Sequence, residues 1–338
     1  MGGGERADGP RWSARAVGAL AVAGTVIAFS LSSTLVKRAE SPGVLIAFWR
    51  MVTVAVVWNV YLLATGRRVT MADVRQVFVP GILVGLNLAI FFAGATHNSV
   101  ANAALIGSLP PFAIVPLGAV LFAEHVDPRS IAFALVAFGG VALVLFSAPS
   151  NGDATLRGNA FGFAAMLLWA GYVVSTRQTR RAMDVPTFMA TITPIAALAV
   201  LPLAITNGGM FALSAHGWTY MLILALLIGI GGHGLLVFAQ RTIAIGTIGI
   251  VQVVQPALAV VWSFLLLGET VNGRQITGIT IVIVGLAAFV VLNELSLRTR
   301  QGRPAALSTE ETPPDERDST GTVSPLLEQP ERRPGPAH

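Results

Sequence analysis

The groups in this sequence with chemistry to offer are few: one arginine deep in an apolar run, two prolines at matching places, and scattered amides, histidines and tryptophans. Arg50 stands in GVLIAFWRMVTV, about 12 Å from Pro42 if the run is helical. A guanidinium there either snorkels to the nearer membrane face or lines a cavity and pairs with the carboxylate or phosphate of a bound molecule. Pro111 and Pro256 fall mid-run, each freeing the carbonyl four residues earlier, at Gly107 and Gln252. In lipid such a carbonyl must meet protein, water or solute, so the pair points to a cavity, with a plain packing kink as the alternative. Asn87, His97, Asn102, Tyr172, His233, Gln252 and Gln255 are further polar candidates to line it, with Trp49 and Trp169 as stacking walls. For each of these, hydrogen bonding between helices is the competing use. Glu124 and Glu269 each end an apolar run and precede Arg129 and Arg274 by five residues, a spacing that suggests structural ion pairs at helix ends.

Other chemistries are excluded. There is no cysteine, so thiol nucleophiles, disulfides and Cys-bound zinc are absent. The five histidines form no HExxH and no closely spaced ligand set, so no metal centre and no cofactor is expected. Gly229-Ile230-Gly231-Gly232-His233-Gly234 has dinucleotide-loop spacing but lies inside an apolar run with no strand before it, and close helix packing explains it better. Gly81 and Gly85 read the same way. No GxxxxGK[ST] is present, and the basic residues sit in short clusters between apolar stretches, which argues against a nucleic-acid partner.

The elements that must position these groups follow from composition. Of 338 residues 54% are apolar and 12% charged, about half the charged share of a soluble domain. Runs of about twenty apolar residues, enough to cross ~30 Å of hydrocarbon, lie near 17–36, 42–65, 77–96, 100–123 and 129–147, then near 159–178, 186–206, 217–239, 245–268 and 275–293. The first is too long for a signal-peptide core and is expected to span. Ten spans with the N-terminus inside place Arg6, Arg11, Arg15, Arg67, Arg68, Arg75, Arg129, Arg177, Arg180, Arg181, Arg241, Arg298, Arg300 and Arg303 on the cytoplasmic side. Only Lys37, Arg38, Arg157 and Arg274 fall outside, so fourteen cations to four favour both termini in the cytoplasm. Trp12 and Trp218 sit at span ends as interface anchors. From 294 onward the chain turns rich in Pro, Glu, Asp, Ser and Thr and lacks aromatics, as expected of a disordered tail; a passive solvated tail is the expectation, against a regulatory role for Ser308, Thr309 or Ser324.

Sliding the chain by 145 residues pairs Pro111 with Pro256, Leu121 with Leu266, Glu124 with Glu269, Arg129 with Arg274 and Gly140 with Gly285. A Pro, a Glu, an Arg and a Gly sharing one offset imply duplication. Two five-helix copies enter the membrane in opposite senses, an inverted repeat. The stretches VANAALIGSLPPFAIVPLGAVLFAEHVDPRSIAFALVAFGGVALV and IGIVQVVQPALAVVWSFLLLGETVNGRQITGITIVIVGLAAFV resemble the last two helices of the EamA repeat of the drug/metabolite transporter superfamily, and GVLIAFWR resembles its Arg-bearing second helix. The resemblance implies an all-α integral membrane fold of ten transmembrane helices: a segment 1–16, a first repeat 17–147, a linker 148–158, a second repeat 159–293 and the tail 294–338.

The expected function is secondary transport of a small metabolite or drug-like solute, an amino acid or related compound among them, across the plasma membrane by alternating access, and the resemblance suggests export. The expected partners are that solute and the lipid bilayer. Proton coupling would have to use a helix-end carboxylate or a histidine, because no acidic residue lies deep in a run; facilitated diffusion is the alternative. Two other classes compete: a membrane enzyme acting on lipid-linked substrates, which would need an Asp/Glu/His constellation that is not apparent, and a scaffold or sensor working through its tail.

Overall fold

Long apolar runs in a bilayer satisfy their backbone groups internally, and helices do so within one segment. The computed structural model describes residues 14–122, 128–146, 155–176, 179, 183–207, 209–242, 252 and 254–301, and every regular element among them is helical. Among the described residues eight helices are long and apolar enough to cross a membrane: α1 Val17–Arg38, α2 Gly43–Ala64, α3 Met71–Ala95, α4 Val100–Leu121, α6 Leu156–Ser175, α7 Val185–Thr206, α8 Ala215–Gln240 and the apolar part of α10, Gly273–Leu292. Two shorter apolar helices, Ile131–Val144 within α5 (Pro128–Phe146) and α9 (Gln255–Leu267), stand where the fifth and ninth spans are expected. Arg6, Arg11, Trp12, Glu124, Arg177, Arg180, Arg181 and everything beyond Gln301 lie outside the described residues.

Capping residues set the helix starts. Thr70 and Asp73 form a reciprocal capping box that begins α3 at Met71, ahead of the purely apolar run. Ser99, Thr155 and Ser214 accept from backbone N–H groups of α4, α6 and α8, and Asn272 exchanges bonds with Gln275 at the start of α10. α10 does not stop where the apolar run does. It continues to Gln301 through LNELSLRTRQ, a stretch of good helix formers, so the expected tail is helical at its start.

Three helices are interrupted. α4 breaks at Ser108–Pro110 and resumes at Pro111. α8 contains a π-helical segment, Leu224–Gly232. Leu31 interrupts α1. Pro111 and Pro256 therefore stand in the first turn of a helical segment rather than in the middle of a continuous one; a missing N–H costs nothing there.

The helices pack with a two-fold pattern between halves. α3 contacts α6 and α7 as α8 contacts α1 and α2, and α4 contacts α6 as α9 contacts α1. The equivalent pairs α2–α7, α4–α9 and α5–α10 meet each other. Small residues permit the close crossings: a Cβ on Gly85 would lie 2.5 Å from the Ala196 carbonyl oxygen, and one on Gly140 would lie 2.9 Å from that of Gly278. Helix ends sort into two faces. On one, Arg67 binds Asp184. On the other, Lys37 binds Glu269, Thr155 donates to the His97 carbonyl, Asn98 donates to Asn159, and His216 meets the Arg38 carbonyl.

Candidate functional site

Arg50 lies two turns into α2, which starts after Pro42, and its side chain is fully buried. It does not snorkel to the helix end. The guanidinium carbon sits 5.4 Å from the centroid of the Phe92 ring on α3, and Nη2 lies 3.4 Å from His233 Nδ1 on α8. Nε and Nη1 are buried with no hydrogen-bond partner among the described residues.

The π segment of α8 shapes this neighbourhood. A wider turn is tolerated where side chains are small, and Gly229, Gly231 and Gly232 supply that. Gly229 presses its backbone against α2: a Cβ there would fall 2.5 Å from Val54 Cγ2 and 3.4 Å from Arg50 Nε. His233, the first residue after the segment, also places Nδ1 3.1 Å from the Ile228 carbonyl. In neutral imidazole Nδ1 either donates to that carbonyl or accepts from Arg50, according to tautomer. Phe29 of α1 packs on the His233 ring at 4.8 Å, and Trp169 of α6 meets it edge-on at 6.2 Å. Tyr172 stacks at 5.1 Å on Trp169. Helices from both halves thus converge on one cation and one imidazole inside an aromatic shell.

The other sequence candidates are dispersed. Trp49 points away from this cluster, donating to the Met210 carbonyl at 2.6 Å and packing on Phe211 and Trp218 beyond the end of α7. Asn87 donates to the Ala165 carbonyl at 2.7 Å, an inter-helix bond between α3 and α6. His97 is exposed at the end of α3. Asn102, on α4, is fully buried and neither amide atom has a partner among the described residues. Pro111, Gln252 and Gln255 are half-buried and Pro256 is buried. Arg129 and Arg274 are exposed.

Glu269 does not meet Arg274 as its spacing suggests. Gly268, at φ 68°, ends α9 in a left-handed turn, and the Glu269 carboxylate crosses to α1 and α4: Oε1 is 2.5 Å from Lys37 Nζ, and Oε2 accepts from the Val100 N–H at 3.1 Å. Lys37 is thus a partner that sequence spacing misses, as are Phe29 and Phe92, which nothing distinguishes among seventeen phenylalanines. Trp58 Nε1 and Thr34 Oγ1 are further buried polar atoms without a partner among the described residues. A separate cavity of about 680 Å³ opens on the Lys37 face, lined by Lys37, Glu40, Val44, Ala93, His97 and Arg157 among others.

At the opposite face Arg67 grips Asp184 through two hydrogen bonds of 2.6 and 2.7 Å and reaches Thr187 at 2.9 Å. Hydrogen bonding from Arg67 holds the Asp184 carboxyl down at about 2, and the Arg67 pKa rises in return.

Comparison with known proteins fits this arrangement. The EamA-like transporter family pattern matches residues 16–146 and 156–291, one copy per half. The pseudopaline exporter CntI of Pseudomonas aeruginosa is 23% identical over 267 residues, 77% of this chain and 91% of that protein. An uncharacterized transporter, sll1164, of Synechocystis is 24% identical over 246 residues, 69% of each chain, and one of Clostridium kluyveri is 21% identical over 225 residues, 64% of this chain and 72% of that one. A solved crystal structure, described simply as that of a protein, aligns over 87% of this chain and all of its own at TM-score 0.57 and 22% identity, a likeness of fold. Two family repeats filling the helical region, on helices that pair across the halves, make this chain a member of the EamA-like transporter family, a multi-pass membrane transporter rather than an enzyme.

Proposed function

We propose that the chain is a secondary transporter of ten spans that exports a small organic solute across the cell membrane by alternating access, with both termini in the cytoplasm. The observation that carries this reading is Arg50, a buried cation whose Nε and Nη1 have no hydrogen-bond partner among the described residues, where helices of both repeats meet. Exchanged helix contacts support alternating access, because two equivalent halves can tilt about a shared site at little difference in energy. α5 and α9 count as the fifth and ninth spans on their positions in the repeats. The sorting of helix ends and the fourteen-to-four distribution of cations support the orientation. Export rests on the likeness to a named exporter.

An untargeted comparison of compounds inside and outside cells, with and without the chain, tests the reading. A compound that accumulates inside when the chain is missing names the solute. Arg50→Ala should reach the membrane in normal amount and leave that compound inside; normal release by the variant would remove Arg50 from the site.

A further inference from the structure

Arg50 is a charge with no counter-ion at its depth among the described residues. Among the described residues the apolar helices carry only two acids: Asp73, in the first turn of α3 and tied into its capping box, and Glu294, in the polar extension of α10 beyond the apolar span that ends at Leu292. The carboxylates that form ion pairs among the described residues, Asp184 and Glu269, stand at helix ends and are taken by Arg67 and Lys37. Among the described residues the guanidinium faces the Phe92 ring and meets the Nδ1 of His233. Neither carries a negative charge, and an isolated guanidinium held away from water strongly favours an anion that follows it in.

Charge count selects among anions. One arginine balances one negative charge; a phosphate dianion would need a second cation. The titratable side chains nearest the cluster are His233 on α8 and Tyr172 on α6, which stacks on Trp169. His233 Nδ1 stands 3.4 Å from Arg50 Nη2, and no carboxylate stands beside them among the described residues to carry a proton. The aromatic shell of Phe92, Phe29 and Trp169 suits a planar or apolar body.

Resting on the transporter reading above, we propose that the solute is a small organic acid that crosses as its monoanion, its carboxylate on Arg50, with no proton travelling alongside. One negative charge then moves per cycle. An inside-negative membrane potential drives that charge outward, which by itself favours export.

Two measurements test this. Purified full-length protein in detergent at pH 7.5 is melted in the presence of 3-phenylpropionate, phenylalanine or phenethylamine, one body carrying a carboxylate, both charges or an amine. The acid should raise the melting temperature most and the amine least. Arg50→Gln should lose the response to the acid, and Arg50→Lys should keep part of it. Equal shifts, no shift, or preference for the amine overturns the proposal. The second measurement uses the wild-type chain and does not depend on a variant folding. In proteoliposomes loaded with the solute named by the cell comparison, valinomycin and a tenfold outward potassium gradient should lower the final inside-to-outside ratio of that solute about tenfold. Collapsing the pH gradient should leave the flux unchanged. Flux that follows pH and ignores potential, or an Arg50-dependent solute that is neutral or cationic, ends the anion proposal and leaves the transporter reading standing. Finding no solute at all ends both.

Discussion

At the scale of single residues, the Arg50 cluster depends on what its neighbours lack. Gly229 lets α8 approach α2, and the methyl of Gly229→Ala would fall 2.5 Å from Val54 Cγ2 and 3.4 Å from Arg50 Nε. Overpacking of this kind costs about 1–3 kcal/mol. The variant should melt at lower temperature and lose most of its flux, and Val54→Ala in the same chain should restore part of both; wild-type behaviour of the single variant would show that the approach is not constraining. Asp184 offers a test with a defined pH window. Its carboxyl is held down at about 2 from 3.8 by Arg67, so the ion pair contributes stability above the ordinary carboxylate pKa and loses it as pH falls toward 2. Wild type should melt higher than Asp184→Asn at pH 6, the gap should narrow below pH 4, and the two curves should meet near pH 2. A gap independent of pH would assign the effect to geometry rather than charge. Arg50 stands out in the sequence by type and setting, yet its burial beside His233 does not, because depth along a helix leaves its rotation open.

At the scale of elements, the Glu269 carboxylate joins three helices on one face: α9, from whose end it projects, α1 through Lys37, and α4 through the Val100 N–H. A negative charge at the start of α4 also complements the helix dipole. Glu269→Gln removes both interactions of a charge and should loosen that face. The chain has no cysteine, so Ala103→Cys, buried one turn into α4, gives a single reporter. In detergent its reaction with a charged maleimide should be several-fold faster in the Glu269→Gln background, and equal rates would show that the contact does not hold the face closed. The sequence reading gives Glu269 a helix-end place and the wrong partner. Spacing of five residues suggests Arg274, whereas the left-handed Gly268 turns the carboxylate toward residues far away in sequence. The break in α4 is announced by Pro110-Pro111, but the π segment has no comparable mark, since its glycines read equally well as packing.

At the scale of the molecule, hydrophobic run length reveals helical spans and the 145-residue offset reveals two copies, because both are written locally or at a fixed period. Which helices cross between the halves is not legible: α3 on α6 and α8 on α1 depend on glycine approaches that no single segment encodes. The two short helices decide the topology. α5 has an apolar core of Ile131–Val144 and α9 runs Gln255–Leu267, both short of a bilayer at 1.5 Å per residue. If both nevertheless cross, with residues on either side completing the span, residue 68 and the tail share the cytoplasmic side, while 207 faces out. Single cysteines at Arg68, Asn207 and Ser319 decide this in whole cells treated with an impermeant maleimide. Asn207→Cys should react in intact cells, and Arg68→Cys and Ser319→Cys only after the membrane is opened. Should Ser319→Cys react from outside while Asn207→Cys does not, α5 fails to cross and the halves are no longer inverted. Alternating access about Arg50 would then lose its symmetry argument, because the two repeats would present the same face of the site to the same side of the membrane.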